Sequence, residues 1–231
     1  MRRRPVSRDI SAPRRRFVLA AAAMAAAAAL PAPSRADSYD DFFRAVQVDD
    51  DETVAALLKR GFDPNATEPD RGESGLMIAI REKAMKVFKV LLNAPGIDLD
   101  QTAANGDTAL MLAAYTANEP AVQALLEKGA AVNRPGWTPL HYAAASGDNA
   151  IVQMLLDKSA DLNARSPNGT TPIMMAARGG HILTVKLLLD AGADATLKNQ
   201  QGMTAIDFAR QAGDTQIVEG LTWRLKQAGK L

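Results

Sequence analysis

The chain has 231 residues, no cysteine, and 27 basic against 26 acidic side chains. Without cysteine it has no disulfide framework, no thiolate metal site and no cysteine nucleophile. The near-zero net charge hides an uneven distribution. Residues 1–36 hold eight arginines and one acid, which leaves 19 bases and 25 acids, a net charge of −6, in residues 37–231. That sign argues against general nucleic-acid binding, which rests on neutralising phosphates, and against attraction to an anionic membrane surface.

Residues 1–36 read as an export signal. Arg2, Arg3, Arg4, Arg8, Arg14, Arg15 and Arg16 make a basic first part, and Phe17 to Leu30 is an apolar run of 14 residues. A bilayer span needs ~20 residues, so a cleaved signal is expected rather than an anchor. Ser34-Arg35-Ala36 fits the small residues of a cleavage site, with Asp37 first in the mature chain. The run Arg14-Arg15-Arg16-Phe17-Val18-Leu19 resembles a bacterial twin-arginine signal. Pro13 stands where such signals usually carry Ser or Thr, and no lysine follows Leu19, so the general secretory route is the alternative. A mitochondrial presequence fits less well, because the alanine run is not amphipathic. The resemblance implies a periplasmic protein of a Gram-negative bacterium, free of the membrane once the signal is removed.

From residue 38 onward one stretch recurs. It is weakest as Asp40-Asp41-Phe42-Phe43-Arg44-Ala45-Val46 and clearer as Ser74-Gly75-Leu76-Met77-Ile78-Ala79-Ile80. It then returns as Thr108-Ala109-Leu110-Met111-Leu112-Ala113-Ala114 and Thr138-Pro139-Leu140-His141-Tyr142-Ala143-Ala144. The last copies are Thr171-Pro172-Ile173-Met174-Met175-Ala176-Ala177 and Thr204-Ala205-Ile206-Asp207-Phe208-Ala209-Arg210. The lead positions 40, 74, 108, 138, 171 and 204 are 34, 34, 30, 33 and 33 apart. Gly72, Gly106, Gly136, Gly169 and Gly202 stand two residues before the later leads. Leu57, Leu91, Leu125, Leu155, Leu188 and Leu221 stand seventeen after each lead. A period near 33 marks a stacked-repeat architecture. With its Thr-Pro-Leu-His-x-Ala core and its Gly192-Ala193-Asp194 tail, residues 38–228 resemble the ankyrin repeat family. The resemblance implies an all-α solenoid of about six helix-turn-helix units with hairpin-like fingers between them.

The first unit reads as a cap. Phe42 and Phe43 replace small core residues, and Asp49-Asp50-Asp51-Glu52 suits the start of a second helix better than a closed cation site. The first finger, from Asn65 to Ser74, carries Asp63, Asn65, Glu68 and Asp70 at or near it, but Glu68 stands where a calcium loop needs glycine. The finger leading into the fourth unit is short: Arg134-Pro135-Gly136-Trp137 replaces a longer loop, which predicts a weak seam. In the fourth unit Thr138 should cap the first helix and Pro139 should occupy its first turn. Leu140, Ala143 and Ala144 share its inner face, and Gly147 ends it. Ile151, Val152, Leu155 and Leu156 stripe its second helix. In the last unit Trp223 and Leu225 are expected to cover the final core layer.

Catalytic chemistry has no foothold. His141 and His181 are the only histidines, and the repeat pattern gives both structural positions. No Ser or Asp is placed to complete a triad, and no cluster has metal-ligand spacing. Met111 and the Met174-Met175 pair read as core filler, and Gly179-Gly180 follows no strand. The expectation is a non-enzyme with no cofactor and no metal, which binds a protein partner. The resemblance places the partner-facing positions at the ends of the first helices and in the fingers, on the concave side. Tyr115, Trp137 and Arg178 lead the candidates, joined by Arg134, Arg81, Met203 and Gln211. Glu82, Thr116, Ala145, Ser146, Asp107 and Thr170 occupy the same class of position. For Trp137 two readings stand: it fills the space left by the short finger, or it is a binding anchor. The expected partner is a periplasmic enzyme or a secreted toxin, the second making the chain an immunity protein. A structural or stress-protective factor without a fixed partner is the other class. The chain is expected to be a monomer.

Overall fold

The computed structural model describes residues 35–231. They form six helix pairs: α1 (Arg35–Gln47) with α2 (Asp51–Lys59), α3 (Gly75–Arg81) with α4 (Met85–Leu92), α5 (Ala109–Tyr115) with α6 (Glu119–Glu127), α7 (Pro139–Ser146) with α8 (Asn149–Asp157), α9 (Pro172–Arg178) with α10 (Ile182–Asp190), and α11 (Ala205–Gln211) with α12 (Thr215–Gln227). Among the described residues, strand pairing is limited to one isolated antiparallel bridge between Thr67 and Ser74. The all-α, six-unit reading therefore holds. The expected export signal lies outside the described residues, except that Arg35 and Ala36 begin α1.

The helices start where short polar side chains can take up free N–H groups. Asp50 accepts from Thr53 N at 3.0 Å, Asp148 from Ile151 N at 3.1 Å and Asp214 from Ile217 N at 2.9 Å. Each such cap stabilises a helix by roughly 1 kcal/mol. The N-cap of α4 is Ala84, which has no side-chain acceptor. Asp49 of the preceding unit serves instead: its Oδ1 accepts from Lys86 N and Val87 N, both at 3.0 Å. The acidic run is thus consumed by capping. Asp50 caps its own helix, Asp49 caps the next unit's, and Asp51 and Glu52 lie in the first turn of α2.

Packing follows the division of side chains between the two helices of each pair. The first helices meet through Ala79, Ala113, Ala114, Ala143, Ala144, Ala176, Ala177 and Ala209, all fully buried. The second helices supply Val87, Leu91, Val122, Leu125, Val152, Leu155, Leu188 and Leu221. Small residues let backbones approach closely, so successive first helices pack more tightly than successive second helices. In the first unit Phe42 is fully buried and stacks on Phe62, ring centroids 4.5 Å apart. Gly75 makes room for it, since a Cβ there would come within 2.8 Å of the Phe42 ring. In the last unit Leu225 is buried but Trp223 is 59% exposed. The expectation that Trp223 covers the final layer is corrected: Ile217, Leu221 and Leu225 already fill the inward stripe of α12, and position 223 lies off it.

Four fingers close with a main-chain bond: Glu68 N to Glu73 O, Ala103 N to Asp107 O, Ser166 N to Thr170 O and Asn199 N to Met203 O, all 2.9–3.0 Å. The first finger also fills its own centre. The Glu68 carboxylate accepts from Asp70 N and Arg71 N at 2.7 Å and from Glu73 N at 3.2 Å. Burial opposes its charge, but these donors and nearby Arg81 hold its pKa below the usual value. Between units runs a polar ladder: Asn65 accepts from Asp98 N, Asp100 from Ala131 N, Asn133 from Asp161 N and Asn163 from Asp194 N, at 2.7–2.9 Å. The short finger lacks a closing main-chain bond among the described residues. Side chains bridge its seam instead: Arg134 donates to Gly106 O, and Tyr142 donates from its hydroxyl to Asp107.

His141 links two units. Thr138 N donates to His141 Nδ1 at 3.2 Å, so the ring proton sits on Nε2, which donates to Thr170 O at 2.9 Å. In the fifth unit Met174 occupies this place. Thr171 N then has only the Met174 sulfur at 3.3 Å, and the buried Thr171 Oγ1 has no partner. Met174→His is expected to rebuild the arrangement, with Thr171 N and Oγ1 on one ring nitrogen and Met203 O as acceptor for the other. Stability should rise by about 1 kcal/mol, measured as a higher urea midpoint at pH 7.5. The same change at Met111 should not stabilise, because the following finger is the short one and Arg134 already lies 3.8 Å from the Met111 sulfur.

Candidate partner-binding face

Tyr115 ends α5, Tyr142 lies in α7, and Trp137 lies in the short finger just before α7. The stack brings the three together. Tyr142 is the middle ring: Tyr115 meets it edge-on with centroids 6.0 Å apart at 90°, and Trp137 meets it at 6.3 Å and 67°. Trp137 also packs edge-on against His141 at 5.2 Å. Edge-to-face pairs at these separations are mutually attractive. Tyr115 is 59% exposed, while Trp137 and Tyr142 are half-buried. Part of the Trp137 ring packs over His141, as the space-filling reading expects, and part remains at the surface.

The Tyr142 hydroxyl donates to the Asp107 carboxylate, whose other oxygen accepts from Asn105 Nδ2 at 2.6 Å. Burial raises the Tyr142 pKa above the usual phenol value, and the bond to Asp107 and its charge add to the rise. The phenol therefore remains a donor and locks the ring in place. Tyr142 was missing from the sequence-based candidates. The available signal was a tyrosine where neighbouring units carry Leu112, Met175 and Phe208.

The remaining candidates divide. Arg178 is exposed, and no ion pair reaches it among the described residues. Arg81 is held by Glu73 and by Glu82 at 3.1 Å, and half-buried Arg134 braces the short finger through Gly106 O. Met203 is half-buried, with exposed Gln211 donating to its sulfur at 3.6 Å. Thr170 is only 2% exposed, which corrects its placement on the binding side: its carbonyl is occupied by His141 and its N–H by Ser166 Oγ at 3.0 Å. His181 donates from Nε2 to Ala145 O, 2.9 Å away. Among the described residues no group of three or more His, Asp or Glu side chains is arranged to hold a metal ion, and no helix is long and apolar enough to cross a membrane.

Stacked helix pairs joined by projecting fingers define a repeat scaffold, and the comparisons identify which one. The model for ankyrin repeats matches in three copies, at residues 42–134, 76–166 and 161–227. The chain belongs to the ankyrin repeat family, whose repeats are protein–protein interaction modules. It is 38% identical over 123 residues to human SH3 and multiple ankyrin repeat domains protein 2, covering 51% of this chain and 7% of that protein. It is 37% identical over 115 residues to human transient receptor potential cation channel subfamily A member 1, covering 48% and 10%. It is 32% identical over 122 residues to palmitoyltransferase AKR1 of Lachancea kluyveri, covering 50% and 16%. The chain thus spans a small part of these relatives' length. Among solved structures, the ankyrin repeat domain of Bcl-3, a member of the IkappaB protein family, superposes with a TM-score of 0.66 at 29% identity, covering 77% of this chain and 81% of that one.

Proposed function

We propose that the chain is a non-enzymatic protein-binding module exported to the periplasm of a Gram-negative bacterium. Its partner docks on the side formed by the first-helix ends and the fingers. The observation that carries this reading is the Tyr115–Tyr142–Trp137 cluster, which spans two units and exposes the Tyr115 ring. Exposed aromatics and arginines are the commonest hot-spot residues, and Arg178 stands two units further along. Closer packing of the first helices bends a stack toward that side. A groove of about 560 Å³ between α1 and the first finger, lined by Tyr39, Arg44, Arg71 and Arg81, continues the same side toward the N-terminal end.

The test is a pull-down from periplasmic extract with the purified protein, its Tyr115→Ala variant and the Tyr115→Ala/Trp137→Ala double variant. The Tyr115 side chain is exposed, so its removal leaves the fold intact. A partner retained by the wild type should bind at least ~10-fold more weakly to the single variant. Equal retention by all three proteins refutes the proposed surface. Export is tested separately. Arg14→Lys with Arg15→Lys is expected to hold the protein in the cytoplasmic fraction, and undiminished export would assign the general secretory route instead.

A further inference from the structure

The side of the stack that carries the Tyr115 cluster has unspent donors and few open acceptors. Its carbonyls are engaged: Ala114 O accepts from Ser146 Oγ at 3.1 Å, Ala145 O from His181 Nε2 at 2.9 Å, Thr170 O from His141 Nε2 at 2.9 Å, and Gly106 O from Arg134. Both oxygens of Asp107 are engaged as well, by Tyr142 and Asn105. Three donors on this side have no hydrogen-bond partner among the described residues: the Trp137 indole N–H, the Tyr115 hydroxyl and the Arg178 guanidinium. Gln101 Oε1 and Thr171 Oγ1 are the buried side-chain atoms without a partner there, so the Trp137 N–H opens to the surface.

We propose that the occupant of this side is a proline-rich segment in the extended polyproline conformation, with a carboxylate about six residues from the proline seated on the rings. The proposal rests on the reading of the cluster as a partner surface and names the chemistry of the partner. A polyproline segment offers carbonyl oxygens and, at each proline, has no N–H. It therefore matches a face with donors to give and few acceptors to receive. An ordinary strand fits worse, because each N–H it turned to this face would lose its water and find no acceptor. The rings suit proline too. Tyr115 and Trp137 meet Tyr142 at 90° and 67°, which leaves wedges between aromatic faces, the kind of surface on which proline-rich segments dock. Such a segment is already extended in solution and loses little entropy on binding.

Repeat geometry places the carboxylate. Tyr115, Ala145 and Arg178 each stand seven residues after the lead of their unit. Ala145 is small, so the space between Tyr115 and Arg178 stays open. Packed helices lie roughly 8–10 Å apart, which puts Arg178 on the order of 20 Å from Tyr115. At about 3.1 Å per residue in the polyproline conformation, that is roughly six residues. Arg178 is exposed and lacks an ion pair among the described residues. Asp214, which approaches Gly180 beside it, is engaged in capping Ile217 N.

The chain has two tryptophans, Trp137 and Trp223, so nitrogen-correlated NMR of the labelled protein gives an indole resonance for each, assigned with Trp223→Phe. The probes are end-blocked hexaproline peptides with one aspartate at either the first or the last position. One of the two should shift the Trp137 indole resonance saturably and leave that of Trp223 in place. Arg178→Glu should weaken this peptide at least ~5-fold, and replacing its aspartate with lysine should restore binding to that variant. No shift of the Trp137 resonance by either peptide at millimolar concentration overturns the proposal. Equal binding of peptides with alanine in place of proline overturns it too, as does indifference to Arg178→Glu. The pull-down separates this failure from failure of the underlying reading. A partner captured through Tyr115 while neither peptide binds leaves the surface in place and removes its proline occupant, whereas a partner held equally by Tyr115→Ala removes the surface itself.

Discussion

His141→Ala is expected to lower unfolding stability by about 4 kcal/mol, read as a large fall in the urea midpoint. The side chain is fully buried and joins the cap of α7 to the next finger. Its removal orphans Thr138 N and one acceptor site of Thr170 O, each a cost of roughly 1–3 kcal/mol when buried, and leaves a cavity. His141→Met should cost less, because Met111 and Met174 occupy this place in neighbouring units. The imidazole also imposes a pH dependence. Burial depresses its folded-state pKa, outweighing the opposing bond to Thr170. The contribution is complete above the unfolded value of about 6.5. As pH falls below that value the unfolded chain takes up a proton that the native state refuses, so stability declines until His141 protonates within the fold. Between pH 7.5 and 5.5 the wild type should therefore lose more stability than His141→Met. Equal losses would mean that His141 is not held neutral.

Gly147→Ala should be the second large effect, about 3 kcal/mol. Gly147 ends α7 at φ 75°, a region where an L side chain costs roughly 1–2 kcal/mol. An added Cβ would also overlap the His181 ring, 2.6 Å from Cγ and 2.7 Å from Cε1. Relief requires moving the ring and breaking its bond to Ala145 O, and such overpacking costs a further ~1–3 kcal/mol. Gly213 supplies the control. It has φ 74° but nothing within 4 Å of an added Cβ, so Gly213→Ala should show the backbone cost alone. If both variants unfold at the same urea concentration, the steric share of the argument is wrong.

Much of the site was legible because repeat position implies location. Tyr115 and Trp137 stand at positions of adjacent units that the family resemblance marks as partner-facing, and the stack does bring them together around Tyr142. Position did not reveal which charges are already spent. Arg81 and Arg134 hold the same class of position as Arg178, yet only Arg178 stands without an ion pair or brace among the described residues. Nor did it reveal Tyr142, whose place between the two rings depends on its bond to a carboxylate 35 residues earlier in the chain.

By itself the sequence determined the unit count, the caps of the first helices from the second unit on and the layer of buried leucines, because these depend on local spacing repeated along the chain. It also implied the structural use of His141, since that residue's neighbours recur in register. Only the tertiary structure decided contacts whose partners lie one unit away and are not periodic. Asp49 caps a helix of the next unit, Arg134 braces a finger that has lost its own main-chain bond, and Trp223 lies at the surface instead of in the core. The physical reason is common to all three. A repeat pattern predicts what each unit shares with its neighbours, whereas these side chains answer to local departures: a missing cap at Ala84, a shortened loop, and a tryptophan off the inward stripe of α12.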